Sequence, residues 1–236
     1  MGIAPAVVQE LLHESSKHQC PDGTPVCVQV CAIADLPTRF GEYQVAAFYS
    51  PNDRKEHAAF VHGDVVGREE IPVRLHSECL TGDAIGSLRC DCRDQLIESL
   101  ERIGKMEAGI VLYLRQEGRG IGFVNKIKAY QLQDSGFDTV EANERLGFRA
   151  DERDYAIAAH MLWSLRVRSI RIMTNNPAKM KDLEEHGVQI VGRIPVVVPP
   201  NDHDLAYMRT KQAKMGHLLG LEQEDDWRVD PETTAK

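Results

Sequence analysis

Short runs of apolar residues alternate with turn residues through the first half of the chain. Runs at residues 43–49, 58–62 and 71–76 are separated by Pro51-Asn52-Asp53 and Gly63-Asp64, which favour turns. Apolar runs of this length, bounded by turn residues, are typical of β-strands. The pattern therefore predicts an antiparallel meander that comprises these three runs.

The second half of the chain alternates between helix-like and strand-like periodicity. Leu96, Leu100 and Ile103 recur at the spacing of an amphipathic helix that Gly104 closes, and residues 109–114 form a continuous apolar run of strand length. Strands that alternate with helices indicate a parallel sheet. We therefore predict an α/β fold in one domain, whose mixed sheet is antiparallel in the first half and alternates with helices in the second. Further helices are predicted at 123–136, around 155–162 and from Pro177 to Gly187, and further strands at 169–174 and 188–198.

The two ends of the chain lack this regularity. Pro21, Gly23 and Pro25 interrupt residues 1–35, which are predicted to form an irregular N-terminal extension with one short helix. Residues 219–236 are acidic and weakly apolar, so a flexible tail is predicted. The domain proper is expected to span residues 36–218.

Composition and charge narrow the class of protein. The chain has 236 residues, 42% of them hydrophobic and 27% charged, as is usual for soluble globular proteins. Its formal charge of −8 argues against a broad nucleic-acid or anionic-membrane surface, yet it allows a local basic pocket. No apolar stretch is long enough to span a bilayer, and the N-terminus lacks the basic start of a secretory signal. We predict a cytoplasmic protein without nucleic-acid or membrane partners.

In a reducing compartment, the six cysteines are better interpreted as metal ligands or core residues than as disulfides. Cys79, Cys90 and Cys92 form a C-x10-C-x-C cluster, and three soft thiolates suit zinc with a fourth position left for water. Such an open site lowers the pKa of its water to about 7, so the spacing slightly favours catalytic zinc. Two alternatives stay open: the thiols pack in the core, or His76 closes a structural site as a fourth ligand.

A second group of possible metal ligands lies near the N-terminus. Its spacing is irregular, and no metal site is predicted there; the group comprises His13, His18, Cys20, Cys27 and Cys31.

Three polar clusters could hold a phosphate-bearing ligand. The glycine-rich turn 118–122 lies between a strand and a helix, where free N–H groups favour anions, although it matches no standard nucleotide fingerprint. The turn at 174–179 repeats this layout, its alternative being a simple asparagine cap. Asp151 and Arg153 share a face if their segment is extended; otherwise they belong to a solvated charge run.

Taken together, several motifs resemble GTP cyclohydrolase II. The resemblance runs in order and with matching spacing from about residue 36 to 218. The residues before it are too few for the dihydroxybutanone-phosphate synthase domain of fused family members, so a single activity is expected. The motifs lie at residues 74–83, 87–92, 115–119, 125–127, 138–143, 174–177 and 214–218.

The resemblance implies the first step of riboflavin biosynthesis, in which GTP is opened to 2,5-diamino-6-ribosylamino-4(3H)-pyrimidinone 5′-phosphate, formate and pyrophosphate. It also implies one catalytic Zn²⁺ per chain on Cys79, Cys90 and Cys92, Mg²⁺ with the triphosphate, and a homodimer. Among the catalytic positions, Asp151 is implied as the proton acceptor, Arg153 as a nucleophile at the α-phosphorus and Tyr130 as a proton carrier. The implied GTP contacts are Arg74, Leu75, His76, Ser77, Glu78, Gln95, Glu117, Gly118, Arg119, Thr139, Thr174 and Lys179.

The roles of two residues, and the function itself, have alternatives that the sequence leaves open. A guanidinium is protonated at neutral pH, so Arg153 could instead stabilise charge on the transferring phosphate. Glu117 is assigned by hypothesis to the N1–H and amino edge of guanine. Competing functions are a paralogue that acts on another purine nucleotide or stops at a formylated intermediate, and a non-catalytic nucleotide-binding zinc protein.

Overall fold

The predicted apolar runs form the strands of one mixed sheet. The computed structural model describes residues 2–15, 28–201 and 203–220. The strands are β1 Gln29–Thr38, β2 Gly41–Ser50, β3 Lys55–His62, β4 Ile71–Ser77, β5 Gly109–Leu114, β6 Ile170–Met173 and β7 Ile190–Ile194. The helices are α1 Pro5–Ser15, α2 Leu80–Asp83, α3 Cys92–Gly104, α4 Gly122–Asp134, α5 Thr139–Arg145, α6 Ala156–Ser164, α7 Pro177–Glu185 and α8 Leu205–Met215.

The sheet joins an antiparallel half to a parallel half. Its strand order is β1-β2-β3-β5-β4-β6-β7. The pairs β1–β2, β2–β3 and β3–β5 are antiparallel. From β5 onwards, the pairs β5–β4, β4–β6 and β6–β7 are all parallel. The predicted α/β class with a mixed sheet is therefore confirmed.

Two details of the predicted strands are wrong. The run at 71–76 is not the third strand of a meander, because β4 lies between β5 and β6 in the parallel half. The segment 1–35 is not irregular throughout, since β1 begins at Gln29. This strand lies at the edge of the sheet and only one of its ten residues is buried, so it lacks the continuous apolar pattern of a buried strand.

The parallel half positions the functional residues. β4, β5 and β6 end at Ser77, Leu114 and Met173, and parallel strands present their carboxyl ends at one edge of the sheet. Leu75 and Leu112 are paired in register and buried in the core beneath this edge. The segments that carry the predicted motifs leave the sheet at this edge.

Several predictions lie on residues that the structure does not describe. They concern His18, Cys20 and Cys27 of the second cysteine group, and residues 221–236 of the acidic tail. Within the described part of the chain, no helix is both long and apolar enough to cross a bilayer.

Candidate active site

One cavity of about 660 Å³ collects most of the predicted site residues at the carboxyl edge of the sheet. Two predicted residues do not line it. The side chain of Leu75 is buried in the core, and Asp151 is paired with Arg153, which does line the cavity. The predicted residues that line it are Arg74, His76, Ser77, Glu78, Cys79, Cys90, Cys92, Gln95, Glu117, Gly118, Arg119, Tyr130, Thr139, Arg153, Thr174 and Lys179.

The three predicted cysteines converge on one point of the cavity. Their sulfur atoms lie within 4.8 Å of one another, and the Sγ atoms of Cys79 and Cys90 are 3.7 Å apart. Cys79 follows β4, whereas Cys92 begins α3. Three thiols at this separation form a donor set that suits a soft or borderline cation such as zinc.

Gly82 leaves the space that the sulfur cluster needs. A Cβ atom built at this position would lie 3.0 Å from Sγ of Cys79 and 3.1 Å from Sγ of Cys90. A methyl group there would displace the sulfur atoms, so the absence of a side chain fits a metal bound between them.

Gly82→Ala is therefore expected to weaken metal binding about 10-fold or more, because it displaces two of the three clustered sulfurs. Competition with a chelator measures the affinity. The matched control is Gly192→Ala, where the nearest atom to the new Cβ would be Nε of Arg171 at 3.7 Å, an ordinary contact. Equal affinities for both variants would contradict the expected effect.

His76 does not belong to the sulfur cluster. Its Nε2 donates to both carboxylate oxygens of Asp83, each at 3.0 Å, and its ring stacks on Tyr113. The group of possible ligands in this part of the described chain contains the three cysteines alone. The geometry thus favours a three-cysteine set over a site that His76 closes.

Lys126 and Glu117 support the cluster from α4 and the turn after β5. Nζ of Lys126 lies 3.1 Å from Sγ of Cys79 and donates to Oε1 of Glu117 at 2.7 Å. Glu117 also accepts from the backbone N–H groups of Leu80 and Gly118. Protein donors therefore occupy three of the roughly four acceptor positions of the carboxylate. One acceptor position of the carboxylate is left for a ligand.

The electrostatics of the cluster favour one thiolate on Cys79. Hydrogen bonds with Cys90 and Cys92, assisted by the charge of Lys126, lower the pKa of Cys79. The hydrogen bond with Cys79 raises the pKa of Cys90 to about 11 and raises that of Cys92 above its usual range. A bound divalent cation would supply the charge needed to deprotonate the remaining thiols.

Basic side chains line the same cavity as the cysteines. Arg74 donates to the carbonyl of Met173 and to the amide oxygen of Gln95, and Nζ of Lys179 donates to the carbonyl of Leu75 at 3.2 Å. Arg119 donates to Oη of Tyr207 at 3.3 Å. These partners are neutral. Arg74 and Arg119 therefore keep positive charge that a polyanion can neutralise, and the amine of Lys179 can add to it when protonated.

The turn after β5 aims Arg119 into the cavity at a conformational cost. Gly118 and Arg119 both adopt the left-handed region, with φ values of 63° and 60°. That conformation is readily adopted by glycine but costs a non-glycine residue about 1 kcal/mol. At the turn 174–179, the asparagine cap that was the alternative to a phosphate site is present, since the side chain of Asn176 accepts from the N–H of Ala178.

Asp151 and Arg153 form a two-pronged ion pair. Nε of Arg153 donates to Oδ1 of Asp151 at 2.8 Å, and Nη2 donates to Oδ2. Burial opposes the charge on each residue, but the pair overcomes it: Arg153 lowers the pKa of Asp151, while Tyr155 and Asp151 raise that of Arg153. The remaining Nη1 points towards Ser77 Oγ at 3.5 Å. The segment is neither helix nor strand at these residues, and the two side chains meet as a shared face requires.

Sequence reasoning missed a further set of cavity residues. Lys211 of α8 donates to Oδ1 of Asp91 at 2.6 Å, and Tyr207 lies one turn before it. Both helix residues line the cavity together with His217. A lysine in a polar helix is normally solvated, so periodicity gives no sign that Lys211 lines the cavity. The one available signal is that residues 214–218, just after it, belong to the family resemblance.

Comparison with known proteins decides the family. The family model described as GTP cyclohydrolase II matches residues 29–195, more than half of the chain. The chain belongs to the GTP cyclohydrolase II family. The predicted family and the prediction of an enzyme are thereby confirmed.

Curated relatives agree with this family membership. GTP cyclohydrolase-2 of Picrophilus torridus is 55% identical over 192 residues, which cover 81% of this chain and 100% of the relative. GTP cyclohydrolase-2 of Hahella chejuensis is 50% identical and is covered to 98%. Riboflavin biosynthesis protein RibBA of Chlorobium phaeovibrioides is 52% identical, and the chain spans 47% of its length.

Proposed function

We propose that this protein hydrolyses GTP at the imidazole ring of guanine and releases formate, pyrophosphate and a diaminopyrimidine ribosyl phosphate, the first step of riboflavin biosynthesis. The observation that carries the proposal is a cavity lined both by three clustered cysteines and by buried basic side chains with neutral partners. Membership of the GTP cyclohydrolase II family supports this assignment.

Cys79, Cys90 and Cys92 would hold one zinc ion. When bound, zinc would supply a Lewis acid and a water molecule of lowered pKa. The contribution of the chain is to position the thiolates: Lys126 neutralises charge on Cys79, and Gly82 keeps the space between the sulfurs open.

The cationic part of the cavity would bind the triphosphate. Arg74, Arg119 and Lys179 supply charge-assisted donors, and Mg²⁺ would accompany the phosphates. With the phosphates held there, the purine can extend towards the cysteines within the same cavity.

Arg153 would act on the α-phosphate as an electrostatic stabiliser. Its pairing with Asp151 keeps the guanidinium charged, and a charged guanidinium is a poor nucleophile. Asp151 would orient this group, because the two hydrogen bonds that its carboxylate accepts from Arg153 fix the plane of the guanidinium.

Tyr130 would carry a proton during ring opening. Its hydroxyl lies 3.5 Å from Oγ1 of Thr81, and the same Oγ1 lies 3.8 Å from Sγ of Cys79. Burial raises the pKa of Tyr130, so the phenol stays protonated and can donate.

Triphosphate binding is expected to take up protons at Lys179. Burial, followed by the charges of Arg153 and Arg74, lowers the pKa of this amine well below its usual value. A bound polyanion favours the ammonium form and raises that pKa, so affinity should fall as pH rises through the pKa of the free protein. Calorimetry in buffers of different ionisation enthalpy measures the uptake. Lys179→Met should abolish it, and unchanged uptake in this variant would contradict the assignment.

The test of the proposed function is product analysis after incubation of zinc-loaded protein with GTP and Mg²⁺. Formate, pyrophosphate and the diaminopyrimidine, identified together by mass, would support the full reaction. Pyrophosphate without formate would indicate a paralogue that stops early. Bound GTP and zinc without any product would favour a binding protein instead.

We also infer a homodimer and a cytoplasmic location, as the family resemblance implies. Sedimentation analysis of the purified protein tests the first inference. A monomer at micromolar concentration would contradict it.

A further inference from the structure

The last helix of the described chain contributes to the cavity although it lies outside the segment that the family model matches. That match ends at residue 195, whereas α8 spans Leu205–Met215. From α8, Nζ of Lys211 reaches Oδ1 of Asp91 at 2.6 Å, and only 11% and 1% of the two side chains are exposed. Asp91 stands between Cys90 and Cys92.

We propose that Lys211 is a positioning residue that holds the segment Cys90–Cys92 in the geometry needed to bind the metal, acting through Asp91. The inference rests on the proposed function, since it assumes that these cysteines bind zinc. A carboxylate this deeply buried needs a counter-charge, and Lys211 supplies it from a different part of the chain.

The carboxylate of Asp91 makes its hydrogen bonds to side chains and not to the end of its own helix. Asp91 occupies the N-cap position of α3, yet its side chain makes no capping hydrogen bond. One carboxylate oxygen accepts from Lys211 and the other from Nε2 of Gln95, whose Oε1 accepts from Arg74. The network therefore connects α8, the cysteine segment and the cationic part of the cavity.

Lys211 is anchored independently of Asp91. Its ammonium lies 4.5 Å from the ring centroid of Tyr207, which also accepts a hydrogen bond from Arg119. After α8, the N–H of Leu218 donates to the carbonyl of Asn175 at 2.8 Å. These contacts fix the helix to two other walls of the cavity, so Lys211 offers Asp91 a stationary partner.

The experiment compares zinc affinity, by chelator competition, in the full chain and its variants. Lys211→Met and Asp91→Asn are each expected to raise the zinc dissociation constant about 10- to 100-fold, the usual cost of losing support for a ligand. Lys211→Arg keeps the charge and should stay within about threefold of the parent. Lys181→Met is the matched control, because it removes a lysine from an exposed ion pair with Glu185 on α7.

A double variant separates positioning from general stability. If Lys211 acts through Asp91, Lys211→Met should change zinc affinity less than twofold when Asp91→Asn is already present. Asp91→Asn preserves shape, so it tests the proposal even if Lys211→Met fails to fold. Zinc affinity within twofold of the parent in Asp91→Asn would overturn the inference alone. Failure of the parent chain to bind zinc would overturn the proposed function as well.

Discussion

A serine in place of Cys90 is expected to reduce formate release about 1,000-fold or more, while the sheet stays folded. Cys90 supplies one of three sulfurs within 4.8 Å of one another, and a hydroxyl is a much weaker ligand than a thiolate for zinc. Loss of the ion would remove several kcal/mol of barrier stabilisation, and about 4 kcal/mol corresponds to this factor. Formate assays combined with metal analysis measure both effects.

The control for this substitution is Cys31→Ser. Cys31 is an exposed free cysteine on β1. This strand is the edge strand at the antiparallel end of the sheet, away from the parallel half. Replacement of Cys31 should leave zinc content and turnover unchanged. Equal turnover in Cys90→Ser and Cys31→Ser would show that the clustered thiols are not needed for the chemistry.

The second large effect is expected at Arg153. Removal of the guanidinium in Arg153→Met should reduce pyrophosphate release about 100- to 1,000-fold, the usual loss for a group that stabilises transition-state charge. Arg153→Lys keeps a positive charge but loses the two-pronged pairing with Asp151, so a smaller loss of about 10- to 100-fold is expected. Pyrophosphate assays at saturating GTP measure these changes.

This comparison also separates the two roles considered for Arg153. An electrostatic stabiliser can be partly replaced by lysine, because lysine keeps the positive charge at this position. No detectable pyrophosphate from Arg153→Lys, with GTP binding retained, would therefore contradict the electrostatic role. Arg149→Lys is the matched control, because Arg149 forms an exposed pair with Glu152 in the same segment.

The sequence predicts the fold class because the periodicities of strands and helices are local. Residues 109–114 were predicted as a strand and are β5, and the helix that Gly104 closes is α3. The order of strands depends on long-range pairing, which periodicity does not report. The apolar run of β4 resembles the two runs before it, so its pattern predicts a meander strand, although β4 lies between two parallel strands.

The sequence predicts those site residues whose chemistry is distinctive, such as clustered cysteines. It does not predict charged residues that are buried, because such residues are usually exposed to solvent. The spacing of three cysteines indicated a metal cluster, and the resemblance supplied the cationic residues. By contrast, Lys126 and Lys211 are buried and paired, whereas a lysine in a helix is normally solvated. The start of helix α5 is visible in the sequence, since Asp138 and Glu141 have the spacing of a capping box and form one in the structure.

The measurement that bears most directly on the proposed chemistry is formate release as a function of bound zinc. Protein stripped of metal by a chelator would be titrated with zinc in the presence of GTP and Mg²⁺. We expect turnover to rise linearly with zinc and to level off at one equivalent per chain. Full formate release after complete metal removal, or one bound zinc without any formate, would contradict a zinc-dependent opening of the guanine ring.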